Sequence, residues 1–118
     1  MKKRIDEEMF IEIFKDVIRD NNDYGDKKKG CKHDAAVTKL EKMIKEVSSD
    51  KEYLTQIFSN LLSNEDSLLR RYVSSYCLRY NVLEDKAVTT LNELAKDYPN
   101  HKFFAELILK QHNKFKNS

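Results

Sequence analysis

The chain has 118 residues, 40% of them apolar and 36% charged, with a formal charge of +2 at pH 7. Leu, Ile, Val and Phe supply 31 residues, about 26% of the chain and above the roughly 20% below which a strongly charged chain stays unfolded. Two glycines and one proline leave too few turn residues for an all-β sandwich or barrel, and too few glycines for a glycine-rich phosphate loop.

Phe10, Ile13, Phe14, Val17 and Ile18 recur at the i, i+3, i+4, i+7, i+8 spacing of one helix face. Asp6, Glu7 and Glu8 suit the first turn of that helix, where negative charge is stabilised. The spacing predicts a helix over about 6–21, closed by the turn-rich run Asn21–Asp26. A second helix carries Ala36, Val37, Leu40, Met43, Ile44 and Val47. Its start is open. Asp34 caps a short version and Asp26 a longer one that takes in Gly30, at roughly 1 kcal/mol relative to alanine.

Ser49 or Asp50 caps the third helix, whose face is Leu54, Ile57, Phe58, Leu61 and Leu62. The break Ser63–Ser67 precedes a fourth, with the stripe Leu69, Tyr72, Val73, Tyr76, Cys77 and Tyr80. A fifth follows Asn81, carries Ala87, Val88, Leu91, Leu94, Ala95 and Tyr98, and stops before Pro99. The sixth carries Phe104, Leu107, Ile108 and Phe115 as its stripe, and the ends, about 1–5 and 116–118, fray.

These elements make an all-α chain of about six helices in antiparallel hairpins, expected as a single domain over 1–118. On a helical wheel Leu78 lies opposite the Leu69–Tyr80 stripe and Leu109 lies off the Phe104–Phe115 stripe. Helices buried on two sides suit stacked hairpins of the HEAT/ARM-like α-α superhelix type. The pairs 3–4 and 5–6 recur at about the 34–47-residue period of such repeats.

The stretch Asn64-Glu65-Asp66-Ser67-Leu68-Leu69-Arg70-Arg71-Tyr72-Val73-Ser74-Ser75-Tyr76-Cys77-Leu78 resembles the inner helix of a HEAT-like repeat. It has an acidic turn, an aliphatic-Arg pair at Leu69-Arg70, and Val73 and Ser74 where such repeats carry small residues. With Gly25-Asp26-Lys27-Lys28 after an amphipathic first helix, the chain from about Phe10 to Leu109 resembles a small bacterial HEAT-like domain family of unknown function. Cys31 stands where the resemblance leads one to expect Asn. The resemblance implies an α-α superhelix and, by analogy with similar bacterial helical-repeat proteins, a role in binding one protein partner, in some cases as an immunity or antitoxin-like factor.

Asp20, Asn22 and Gly25 sketch a calcium loop, but Tyr24 and Cys31 fall where the loop needs oxygen ligands, so a helix-ending turn is favoured. Cys31, His33, His101 and His112 lack the paired short spacings of a structural zinc site. Cys31, near Lys29 and Lys32, is the more reactive cysteine, while Cys77 sits on an apolar stripe and reads as core. Neither comes with a base and an oxyanion site, so no enzyme, metal or cofactor is expected. Lys27, Lys28, Lys29 and Lys32, with Lys39, Lys42 and Lys45 downstream, are the densest charge feature; Lys32, Lys39 and Lys42 share much of one helix face and offer salt-dependent nucleic-acid binding as the alternative function. Asp34, Glu41 and Glu46 on the same segment favour a solvated face instead.

Arg70 is expected to pair with the acidic turn Glu65-Asp66 or with a carboxylate of an adjacent layer. Tyr72, Tyr76 and Tyr80 are expected as core rings. Arg71, Ser75 and Leu78, with Leu109, form the expected partner-binding surface, an apolar spot rimmed by arginine. Whether Leu78 is covered within the chain or by a partner is left open by the sequence. No stretch approaches about 18 apolar residues and no apolar run follows the basic N-terminus, so a membrane span and a signal peptide are not expected. The expectation is a cytoplasmic, non-catalytic protein-binding module with reduced thiols.

Overall fold

The computed structural model describes the backbone of residues 5–22 and 27–116, and the side chains of 5–19 and 35–114. Six helices follow one another: α1 (Glu7–Asn22), α2 (Lys27–Val47), α3 (Lys51–Leu61), α4 (Ser67–Arg79), α5 (Glu84–Asp97) and α6 (Pro99–Lys116). No strand occurs among the described residues, so the fold is all-α and built of helical hairpins. By their internal contacts the residues fall into two compact units, Met1–Ile57 and Phe58–Ser118.

In the first unit α1 packs on α2. Phe10, Ile13, Phe14 and Val17 of α1, and Leu40, Met43, Ile44 and Val47 of α2, are buried at the spacing that the sequence lays out. Each such side chain contributes about 1.5–3 kcal/mol relative to exposure. The longer form of α2 is the one adopted, with Gly30 inside the helix. At its C-terminal end Ser48 Oγ and Ser49 Oγ donate to the carbonyls of Ile44 and Glu46, at 2.6 and 3.2 Å. Asp50 then caps α3, its carboxylate accepting from the Tyr53 N–H. Tyr53 Oη donates to the Ile5 carbonyl at 2.8 Å.

In the second unit α5 packs against both α4 and α6, and α4 also meets α6. Asp66 opens α4 as an N-cap, accepting from the N–H groups of Leu68 and Leu69, which satisfies donors the first turn would leave orphaned. Asn64 Oδ1 accepts from the Asp66 N–H and fixes the approach to that cap. Between α4 and α5 the chain turns through Asn81 and Leu83, whose φ angles of 58° and 51° are left-handed. Asn tolerates this region. For Leu83, the N-cap of α5, it is a strained conformation costing roughly 1–2 kcal/mol. Pro99 occupies the first helical position of α6, where its missing N–H is no loss.

Two expectations need correction here. Leu78 is 7% exposed. It lies on the α4 side shared with Arg71, and Arg71 engages α6, so Leu78 belongs to the core and cannot serve as a partner anchor. The apolar stripe assigned to α6 is not its buried face. His101 and Ala105 are buried and Ile108, Leu109 and His112 half-buried, whereas Phe103, Phe104 and Leu107 are exposed by 68%, 49% and 40%. Leu109 therefore lies within the packed arc of α6, rather than opposite it.

An arginine–aromatic surface as the candidate functional site

The first turn of α4 and the start of α6 bring their side chains together through His101. Its Nε2 lies 3.0 Å from Ser67 Oγ, and its Nδ1 lies 3.0 Å from an Arg71 guanidinium nitrogen. Arginine carries only donors and stays charged, so Nδ1 must accept and the ring proton sits on Nε2, which donates to Ser67 Oγ. Burial holds the His101 pKa below its ordinary 6.5, the Arg71 charge lowers it further, Asp66 opposes the shift and Arg70 adds to it. The ring is therefore a neutral, fixed tautomer.

That assignment decides what Ser67 and His101 can do. A serine nucleophile needs its hydroxyl proton accepted by the imidazole. Here the facing nitrogen already carries a proton, and protonation of the other nitrogen would break the bond to Arg71. The pair acts as a brace that holds Arg71.

From His101 the contacts run outward in a connected line. Arg71 lies over the Phe104 ring at 4.5 Å and beside the Tyr72 ring at 5.5 Å. Phe104 meets Phe103 edge to face at 5.3 Å. On the other side Tyr98 meets His101 edge to face at 5.9 Å, and Arg70 lies 6.0 Å from the Tyr98 ring. Guanidinium groups gain from aromatic faces at such distances. Tyr98, Phe103, Phe104 and Leu107 are the exposed large apolar side chains among the described residues. At about 200 Å² per side chain, Phe103, Phe104 and Leu107 together leave roughly 300 Å² exposed on α6, comparable with the largest patch on a typical monomer. Arginine and aromatic rings are also the groups that dominate binding hot spots.

The remaining candidates fall in different places. Ser75 is half-buried, one turn beyond Arg71, and Leu109 is half-buried on α6. Arg70 lies beside the Tyr98 ring, and Asp66 Oδ1 in the acidic turn expected to pair with it accepts from the Leu68 and Leu69 N–H groups. Arg70 Nε is buried and has no hydrogen-bond partner among the described residues. Tyr76 is a buried ring, stacked on half-buried Tyr80 at 6.4 Å, and Tyr72 is half-buried. Cys77 is fully buried, and burial pushes its thiol up to about 12, against a smaller lowering by Lys86. It is protonated and no nucleophile. His112 Nε2 lies 2.9 Å from Glu84 Oε1, and no group of three potential metal ligands converges among the described residues.

Lys39 and Lys42 are exposed on α2 and, with Ala35 and Thr38, line a shallow open depression. The side chains of Lys27, Lys28, Lys29, Cys31, Lys32 and His33, and the calcium-loop positions Asp20, Asn22, Tyr24 and Gly25, lie outside the described side chains. No described helix is long and apolar enough to cross a membrane.

The aromatic surface is hidden in the sequence because Phe104 and Leu107 belong to the apolar stripe expected to face the core. One signal for it was present: Lys110 and Lys114 fall on the same side of α6 as Phe103 and Leu107, and lysines rarely face a core. No protein-family model, curated protein or solved structure matches the chain.

Proposed function

We propose that the chain is a non-catalytic protein-binding module whose binding surface is the exposed face of α6 together with Arg71. The observation that carries this reading is the exposure of Phe103, Phe104 and Leu107 beside a braced arginine. Leaving these rings in water forgoes a few kcal/mol that burial would supply, and His101, Ser67 and Arg71 hold the neighbouring groups in one arrangement before any partner arrives. Pre-ordered aromatic and arginine side chains lose little entropy on binding. On this reading the hairpins form a HEAT-like α-α superhelix related to the small bacterial family of unknown function. The setting is the cytoplasm, and an immunity or antitoxin-like role is one form the activity takes.

The test is co-purification from the native host at physiological salt, comparing the tagged chain with its Phe103→Asp variant. Phe103 is 68% exposed, so this substitution leaves the fold intact, as circular dichroism would verify. The reading expects a stoichiometric protein partner on the unaltered chain and none on the variant. A partner that stays on Phe103→Asp but leaves when Lys39 and Lys42 are changed to Glu would move the site to α2. Recovery of nucleic acid instead of protein would favour the basic segment of α2.

A further inference from the structure

Resting on the reading of α6 as a protein-binding face, we infer the kind of partner it takes: an acidic amphipathic helix that lays its apolar stripe along Phe103, Phe104 and Leu107. Length matches a helix: from Phe103 to Lys114 the exposed face runs about 16 Å along the α6 axis, which a partner helix of about three turns covers.

Lys102, Lys110 and Lys114 are exposed on α6, and Arg71 stands over Phe104 at the patch edge. Against these, α6 carries one carboxylate, Glu106, which falls between Lys102 and Lys110 on one ridge of the helix. Lys110 and Lys114 follow Phe103 and Leu107 at the i+7 spacing, so the face continues from apolar to cationic along its length. Two copies of such a face would set cation against cation. A helix with leucine-type residues on one stripe and Glu or Asp beside it meets both features at once, in the helix-on-helix mode of peptide recognition.

The fixed rings distinguish a helix from a lipid surface, which also attracts exposed phenylalanine beside lysine. Phe104 is held between Arg71 and Phe103, at 4.5 and 5.3 Å, and Arg71 is in turn held by His101. A fixed relief of rings suits interdigitation with the side chains of another helix. A fluid interface has no use for it.

The test uses the full chain and a labelled synthetic peptide of about 18 residues, with Leu at the i, i+3, i+4, i+7 positions and Glu on the flanks. The same peptide with Lys for Glu serves as the charge control. Fluorescence anisotropy should show micromolar binding of the acidic peptide that weakens by about tenfold or more between roughly 50 and 500 mM salt. Phe103→Ala should weaken it by at least about tenfold, the loss of an interface anchor. Lys110→Glu with Lys114→Glu should shift preference to the basic peptide. No binding, equal binding of both peptides, or binding indifferent to Phe103→Ala overturns the inference. So does sedimentation of the chain with anionic vesicles when the peptide does not compete, or a dimer in solution that Phe103→Asp abolishes. A native partner lost on Phe103→Asp but unmoved by the lysine reversals would sink the acidic helix while leaving the binding module standing.

Discussion

Replacing Leu78 by Ala separates a core position from a surface anchor. Leu78 is 7% exposed on α4, a helix packed against both α5 and α6. Truncation removes three carbons from a packed site. The lost transfer energy and the cavity left behind amount together to about 2–4 kcal/mol, the usual range for a buried leucine. Against a stability of about 5–15 kcal/mol for a whole domain, that is a large fraction. With a urea slope of about 1–3 kcal/mol per molar, the unfolding midpoint should fall by about 1–2 M, read by the circular dichroism of the helices. Leu107→Ala, at 40% exposure on α6, is the matched control and should shift the midpoint by less than about 0.5 M. A Leu78→Ala midpoint equal to that of the unaltered chain, with Leu107→Ala carrying the loss, would refute the assignment of inner and outer faces in α4 and α6.

Three further outcomes follow from individual groups. The native His101 ring resists a proton that the unfolded chain accepts, because burial first and Arg71 next lower its pKa, with Arg70 adding to this and Asp66 opposing it. Its contribution is therefore complete above about pH 6.5 and lost as pH falls through the lower native pKa. Urea midpoints should decline from about pH 7 to pH 5, and His101→Asn should flatten that decline; an unchanged slope would contradict the tautomer. In a Cys31→Ser background, Cys77 should react with a thiol reagent at neutral pH only as fast as the chain unfolds, since its thiol is buried and pushed up to about 12. Fast reaction in native buffer would place it elsewhere. Asp66→Ala removes the acceptor of the Leu68 and Leu69 N–H groups and should cost about 1 kcal/mol, while Asp66→Asn recovers most of it; equal costs for both would deny the cap.

Much of this architecture is legible in residue spacing. The α1 face of Phe10, Ile13, Phe14 and Val17, the cap at Asp50 and the stop before Pro99 each depend on residues close in sequence, and local chemistry settles them. The phase of α6 is not local. Its packed arc is His101, Ala105, Ile108, Leu109 and His112, in which two histidines and an alanine dilute the apolar signal, whereas Phe104 and Leu107 give a strong one on the exposed side. Histidine can be buried here because Ser67 and Arg71, about 30 residues earlier, satisfy both of its nitrogens. Pairing across that distance leaves no periodic trace. The approach of Arg70 to Tyr98 is non-local in the same way, since Tyr98 comes from the end of α5.

The most direct measurement is hydrogen–deuterium exchange on the chain alone and on its purified complex with the partner recovered from the host. The account predicts new protection at the side of α6 from Tyr98 to Lys114 and at the first turns of α4, with α2 unchanged. Protection confined to α2 around Lys39 and Lys42, with α6 exchanging as in the free chain, would contradict it.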